Sequence, residues 1–500
     1  MRRLILAVTI AASVAAPALA QNFRITMRED PDSLDPTLAR TYVARIVFAG
    51  LCDKLFDINA KLEIVPQLAT SYEWADPKTL VIKLRDGVVF HDGAKMDAEA
   101  VKYSLERHLK YPGSFRRSEI NAMDHVEVVD PLTVKILLKE PSSPFLAQLT
   151  DRSGMIVSPK AADAEGKDFQ LHPVCAGPFK FVERVPQDHI TLEKFPQYWN
   201  AKDIHLDRVT YQIIPNSSIR LANLQAGSTD LVEYIIPTDV PAVKKDPKLK
   251  VAMTDSLGSQ YLEFNVGNGE RAKSPVGSDP RVRQAFEKAI DREALIQVVY
   301  DGLYEPAAQG LSPASPMFAA GLKPQPRDVE GAKALLKAAG VKLPVVVKLT
   351  VPNNPDLRQA GEVIQSMAAE AGFDVQITAS EYASALDAAT RGDFEVFLTA
   401  WSGRADPDGN LYTFFHTGGA LNDSHYSNPT VDKALEAARA VSDVAQRREQ
   451  YATMYAQESK DMPTLYLWYL KNIVGMRANV QGFTQVPDGM IRLQGVSLGK

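Results

Sequence analysis

The chain has 500 residues, 45% apolar, 23% charged and 8% aromatic, a composition that supports a large buried core and excludes a disordered, collagenous or fibrous protein. Its length suits roughly two to four domains or one large two-lobed body. Lys and Arg number 56 against 61 Asp and Glu, a net charge of −5, and with both signs scattered and no basic block, neither nucleic acid nor a polybasic membrane contact is an expected partner.

At the N-terminus, Arg2 and Arg3 precede an apolar run from Leu4 to Ala16, and the segment closes on Ala18-Leu19-Ala20. This is the pattern of a secretory leader cleaved after Ala20, and the run falls short of the ~20 apolar residues of a membrane span. Export without an anchor places the protein in the periplasm. The next elements are a strand at 23–27, a turn at PDSLDP and a helix over 42–55. Strands at 80–84 and 133–138 flank a helix capped by Asp97, which makes an α+β block. Strands at 179–185, 190–194 and 208–214 precede a helix over 217–226 that ends at Gly227. Beyond Gly258, helices at 280–289, 292–300, 329–339, 357–371 and 383–391 alternate with strands at 345–351, 374–378 and 395–400. That alternation predicts a partly parallel, helix-flanked sheet. Two strands at 465–470 and 473–476 close the chain, and no repeat of 20–50 residues is present.

Only Cys52 and Cys175 occur. In an oxidising compartment they form either one bridge or two buried thiols, and with no histidine at ligand spacing they make a poor zinc site. Signatures of serine hydrolases, zinc proteases, dithiol redox proteins and nucleotide binders are missing. The eight histidines are dispersed, and His91, His416 and His425 read as turn or loop residues. Asp406 and Asp408 could do acid/base work, but their Gly/Asn-rich surroundings favour a solvated loop.

The stretch RDGVVFHDGAKMDAEAVKYS, residues 85–104, resembles the signature of bacterial extracellular solute-binding protein family 5, the large periplasmic proteins that serve dipeptide, oligopeptide, glutathione and nickel ABC importers. Further likenesses follow in family order: CAGPFKF at 175–181, QYW at 197–199, YLEFNV at 261–266, DPRVRQAFEKAIDRE at 279–293 and GAKALLKAAG at 331–340. The resemblance implies an α/β, two-lobed periplasmic-binding-protein fold with an extra α+β domain inserted in lobe one. Lobe one would comprise 21–52, 172–255 and 470–500, the extra domain 53–171, and lobe two 256–469. Cys52 and Cys175 would then stand at the neck of the inserted domain.

The resemblance also implies a monomer without cofactor or enzymatic activity. It would bind a peptide or a small carboxylated, peptide-like solute and touch the membrane only through the permease subunits of its importer, whose cytoplasmic ATPases drive transport. A receptor for a nickel chelate or haem would use the same fold, and a secreted enzyme is the remaining alternative. The segment TAWSGRADPDGNLYTFFH, residues 399–416, corresponds to a loop that lines the ligand site in the family. Members that bind peptides typically carry, three residues after the Trp, an Asp that pairs with the ligand's α-ammonium; this chain has Arg404 there. A guanidinium suits an anionic ligand group, unless it pairs internally with Asp406 or Asp408. The ligand-site candidates are Trp401, Ser402, Gly403, Arg404 and Asp406 from lobe two, and Tyr42 from lobe one.

Overall fold

The computed structural model describes residues 21–499; the expected leader lies outside them. Two α/β bodies share one 11-stranded sheet. Its spine is a pair of long antiparallel strands, Leu249–Phe264 and Thr464–Arg477. On one side the spine continues through Leu231–Val232 to Asn22–Met27, Arg208–Ile213, His189–Lys194 and Phe179–Val185. On the other it continues through Val396–Trp401 to Val345–Pro352 and Phe373–Ser380, with the parallel pairing expected of strands linked by helices. The spine ladder runs in register from Leu249 opposite Arg477 to Asp255 opposite Lys471, breaks, and resumes at Ser259 opposite Tyr469.

The core divides with the sheet. Phe23, Ile25, Phe48, Leu192 and Tyr211 gather in one buried cluster; Leu262, Phe286, Val347, Leu349 and Leu398 gather in another. A third surrounds a separate four-stranded antiparallel sheet, Ala69–Asp76, Thr79–Leu84, Thr133–Leu138 and Met123–Asp130, covered by the helix Ala98–Lys110. Asp97 caps that helix, accepting a hydrogen bond from Ala100 N at 3.1 Å.

Most expected elements stand within a few residues of their expected bounds, and the differences have physical causes. The first helix is Tyr42–Leu51, shorter than expected, because Cys52 turns to extended backbone (φ −129°). The two closing strands are one, Thr464–Arg477. The strand Leu249–Phe264 was not expected as a unit, because its first half is largely exposed and its second half buried on both faces, so no single period runs through it. The helices Pro429–Ala440 and Val444–Asp461 were also missed; the second is rich in charge and carries only a broken apolar stripe.

Cys52 and Cys175 form a disulfide, with their Cα atoms 4.9 Å apart and a sequence separation of 123; the two-thiol alternative is set aside. The chain leaves the first body at Cys52 and returns at Cys175, so the bridge ties the neck of the small antiparallel sheet. Beside it, Gly177 N donates to Leu51 O at 3.1 Å. A Cβ at Gly177 would stand 2.4 Å from the Leu51 carbonyl carbon, so only glycine allows this approach. No helix among the described residues is long and apolar enough to cross a membrane.

Closing so long a loop restricts the unfolded chain, and loss of the bridge should cost about 4–5 kcal/mol if the reduced protein keeps its fold. The C52S/C175S variant should melt well below the native protein. Thiol titration of native, unreduced protein should find no free thiol, and two reactive thiols would contradict the bridge.

Candidate functional site

Between the two bodies lies a cleft, partly open to solvent, with about 1160 Å³ of non-atom space when that open solvent is included. Its walls follow from strand direction, because residues just beyond the carboxyl ends of sheet strands have no further ladder partners and project into the gap. Arg28 and Glu29 follow Asn22–Met27, Glu233 and Tyr234 follow Leu231–Val232, and Asn354 follows Val345–Pro352; all line the cleft. The opposite wall is a sheet face. Tyr261 and Glu263 on one strand, and Thr399 and Trp401 on its neighbour, sit at alternate positions and share that side. The Tyr382 hydroxyl is 3.0 Å from Thr399 Oγ1.

Of the candidates named from sequence, Tyr42, Trp401 and Ser402 line the cleft; Gly403, Arg404 and Asp406 do not. Tyr42 donates its hydroxyl to Gly489 O at 2.5 Å, and the Arg28 guanidinium stands 4.7 Å from the Tyr234 ring centre and 5.7 Å from that of Tyr42. Trp401 donates its ring N–H to Asn410 Oδ1 at 2.8 Å and meets Phe414 edge-on at 4.8 Å. Ser402 Oγ accepts from Arg45 Nη1 at 3.0 Å across the gap between the bodies. Gly403 has φ 78°, and a Cβ there would lie 2.3 Å from Leu257 backbone. It serves the loop's packing rather than a ligand's approach.

Arg404 is turned away from the cleft. It is only 8% exposed, its Nε is 3.2 Å from Asp151 Oδ2, and its guanidinium lies 4.2 Å from the Trp401 ring centre. Neither internal partner considered from sequence is used, because Asp406 is taken by Arg447 at 2.6 and 2.8 Å and Asp408 by Arg439 at 2.6 and 2.8 Å. Asp151 also receives Arg45 Nη2 at 2.5 Å. Burial opposes its charge, but Arg404, Arg45 and Arg152 hold the Asp151 carboxyl well below the usual range. Burial and the neighbouring Arg45 push the Arg404 guanidinium down to about 10, Asp151 opposing.

The charges that do face the cleft were not found from sequence. Arg28 pairs with Glu233 at 3.4 Å, and Arg40 pairs with Asp423 at 2.5 Å and donates to Thr390 Oγ1 at 2.6 Å, joining the two bodies. Lys471 pairs with Asp255 at 2.5 Å. Glu29 and Glu263 also line the wall. Burial raises Glu29 to about 7, Arg28 opposing, and raises Glu263 with Asp423 beside it. The one signal available beforehand was position: Arg28 and Glu29 directly follow the first expected strand, where the strand-end rule would have placed a site. Among the described residues no group of three or more His, Cys, Asp or Glu side chains could hold a metal ion.

The chain matches, over residues 63–422, the family model described as bacterial extracellular solute-binding proteins, family 5 Middle. It is 31% identical to the glutathione-binding protein GsiB of Pectobacterium atrosepticum, over 99% of this chain and 98% of that protein. The dipeptide-binding protein of Escherichia coli K12 is 28% identical over 99% of this chain and 97% of its own length. Among solved structures, the periplasmic binding protein DppA of Helicobacter pylori in complex with the peptide STSA superposes with a TM-score of 0.87 at 27% identity, covering 96% of this chain and 98% of that one.

Because Arg404 is buried against Asp151, Arg404→Ala should act on stability. A loss of about 2–3 kcal/mol is expected, below the ~3–5 kcal/mol of a buried charge left with no partner, since Arg45 still holds Asp151. Chemical denaturation would measure it. Unchanged stability with abolished solute binding would return Arg404 to the ligand site.

Proposed function

The chain belongs to the bacterial extracellular solute-binding proteins of family 5, and on that premise we propose that it is the periplasmic substrate-binding component of an ABC importer, taking a peptide-like solute into the cleft between its lobes. The observation that carries this reading is the cleft itself: a concave space with aromatic and charged walls, set between two bodies joined by two strands. Tyr42, Tyr234, Tyr261 and Trp401 offer apolar faces for side chains, while guanidinium, ammonium and carboxyl groups of both signs suit the ends of a zwitterion.

In this reading lobe one comprises residues 21–52, 172–255 and 470–500, the inserted domain 53–171, and lobe two 256–469. The hinge falls at the break in the spine ladder, between Asp255 and Ser259 on one strand and between Tyr469 and Lys471 on the other. Tyr42 from lobe one and Trp401 and Ser402 from lobe two belong to the ligand site. The protein works as a monomer, exported with its leader removed after Ala20. It performs no chemistry itself; it presents the closed, loaded form to permease subunits whose cytoplasmic partners hydrolyse ATP. Closure requires only that the solute bind the closed state better than the open one.

A thermal-shift screen of residues 21–500 against di- and tripeptides, glutathione and other amino-acid conjugates tests the reading. At about 100-fold excess over Kd, a solute bound only by the folded protein adds about 2.7 kcal/mol. At least one peptide-like solute should raise the melting temperature, and Trp401→Ala should reduce that shift. Silence across all the peptide-like classes would leave the family and fold but not this substrate class.

A further inference from the structure

The charge balance of the cleft wall carries an inference that rests on the peptide-like reading and narrows it. Four carboxyl groups and three cations line the cleft. Arg40 is committed to Asp423 at 2.5 Å, Lys471 to Asp255 at 2.5 Å, and Arg28 to Glu233, whose Oε1 also accepts the Arg28 backbone N–H at 3.1 Å. Two carboxyls remain. Glu29, half-buried on the lobe-one side, makes no hydrogen bond or ion pair with its side chain among the described residues. Glu263, 9% exposed on the lobe-two side, accepts only the Ser424 backbone N–H, at 3.1 Å, and has no cationic partner.

A carboxylate without a counter-charge becomes costly when a closing cleft strips water from it, and two such groups in one cleft are best accommodated when a counter-charge arrives or a proton is held. We propose that the preferred solute is basic: beyond any α-ammonium it brings an additional ammonium or guanidinium group, and Glu29 and Glu263 receive its positive charge from the two lobes. The two carboxyls stand on opposite bodies, so a solute that engages both favours the closed state over the open one.

The groups facing each carboxyl fix the sign of the pH dependence. Glu29 meets Arg28, Glu233, Glu381 and Asp32, and burial, the largest influence, pushes its carboxyl up to about 7. Glu263 meets Asp423 and Arg40 and is also raised by burial. A bound cation favours the ionised carboxylate, so binding releases protons, and affinity is weakened below the free-state titration point and strengthens as pH rises through it. For Glu29 alone the expected gain from pH 6 to pH 8 is about tenfold.

The test compares Ala-Lys with Ala-(Nε-acetyl-Lys), which share the α-ammonium and the carboxylate; acetylation removes the second positive charge and adds a small neutral amide. Calorimetry on the full mature chain should show Ala-Lys binding about tenfold or more tightly, more tightly at pH 8 than at pH 6, and with a heat that depends on buffer ionisation because protons are released. The preference should fall in Glu29→Gln and in Glu263→Gln, which keep shape and remove charge. Each variant's unliganded melting temperature reports its fold, and either one alone suffices if the other fails to fold. Equal binding of the two dipeptides, tighter binding of the acetylated one, or an undiminished preference in both folded variants overturns the inference while leaving the peptide-like reading intact. Binding of neither dipeptide, together with silence across all other peptides, overturns both.

Discussion

Two polypeptide segments hold the lobes together, and both are strands of one ladder. Where the ladder breaks between Asp255 and Ser259, its backbone groups turn to other partners: Leu257 N donates to Pro487 O at 3.3 Å, Gly258 N to Ser256 Oγ at 3.1 Å, and Ser312 Oγ to Ser256 O at 2.7 Å. Buried backbone groups need partners in every state the protein visits. At this break they find them in side chains and a neighbouring loop rather than in a strand pairing, so the sheet on either side does not rely on ladder bonds here. The hinge proposed for this protein is set at that interruption in the ladder, between the two halves of the sheet.

Away from the break in the spine, charged groups join the bodies. Arg439 holds Asp408 with two bonds, stands 3.2 Å from the Tyr412 ring centre, and reaches Asn121 Oδ1 at 2.6 Å and Ser118 O at 2.8 Å on the inserted domain. Gln148 donates to Asp408 at 3.0 Å from the same side. Such contacts gain Coulomb energy when formed and recover hydration when broken, so the net difference is small compared with an equal area of hydrophobic packing. An interface of this kind fits the proposed closure, because little apolar packing has to be broken for the bodies to part.

Much of this organisation is legible in the sequence because it rests on local rules. Asp97 announces its helix through an N-cap, the helices of the second lobe show their period, and the two cysteines mark the neck. The loop at 399–416 was also found, yet only Trp401 and Ser402 of its candidates reach the cleft. What escaped depends on distant partners. Whether Arg404 faces a ligand is decided by Asp151, some 250 positions away, and nothing near either residue signals the pairing. Glu263 sits within a buried strand where its neighbours read as core, and its lack of a counter-ion is visible only once Arg40 and Asp423 are seen to satisfy each other.

The loop after Trp401 shows how one short segment serves both the cleft wall and the contact between the bodies. Asn410 accepts from the Trp401 ring N–H at 2.8 Å and the Arg404 backbone N–H at 2.6 Å, and donates to Arg404 O at 2.9 Å. One amide therefore fixes the backbone so that the indole faces the cleft while the guanidinium three residues later points the other way, onto Asp151. The Arg404 guanidinium in turn covers the Trp401 ring. A carboxylate at position 404 would face the Asp151 carboxylate and repel it. The arginine that departs from the peptide-binding pattern is thus the residue that pairs with Asp151 in the contact between the bodies, and its charge is spent there rather than in the cleft wall.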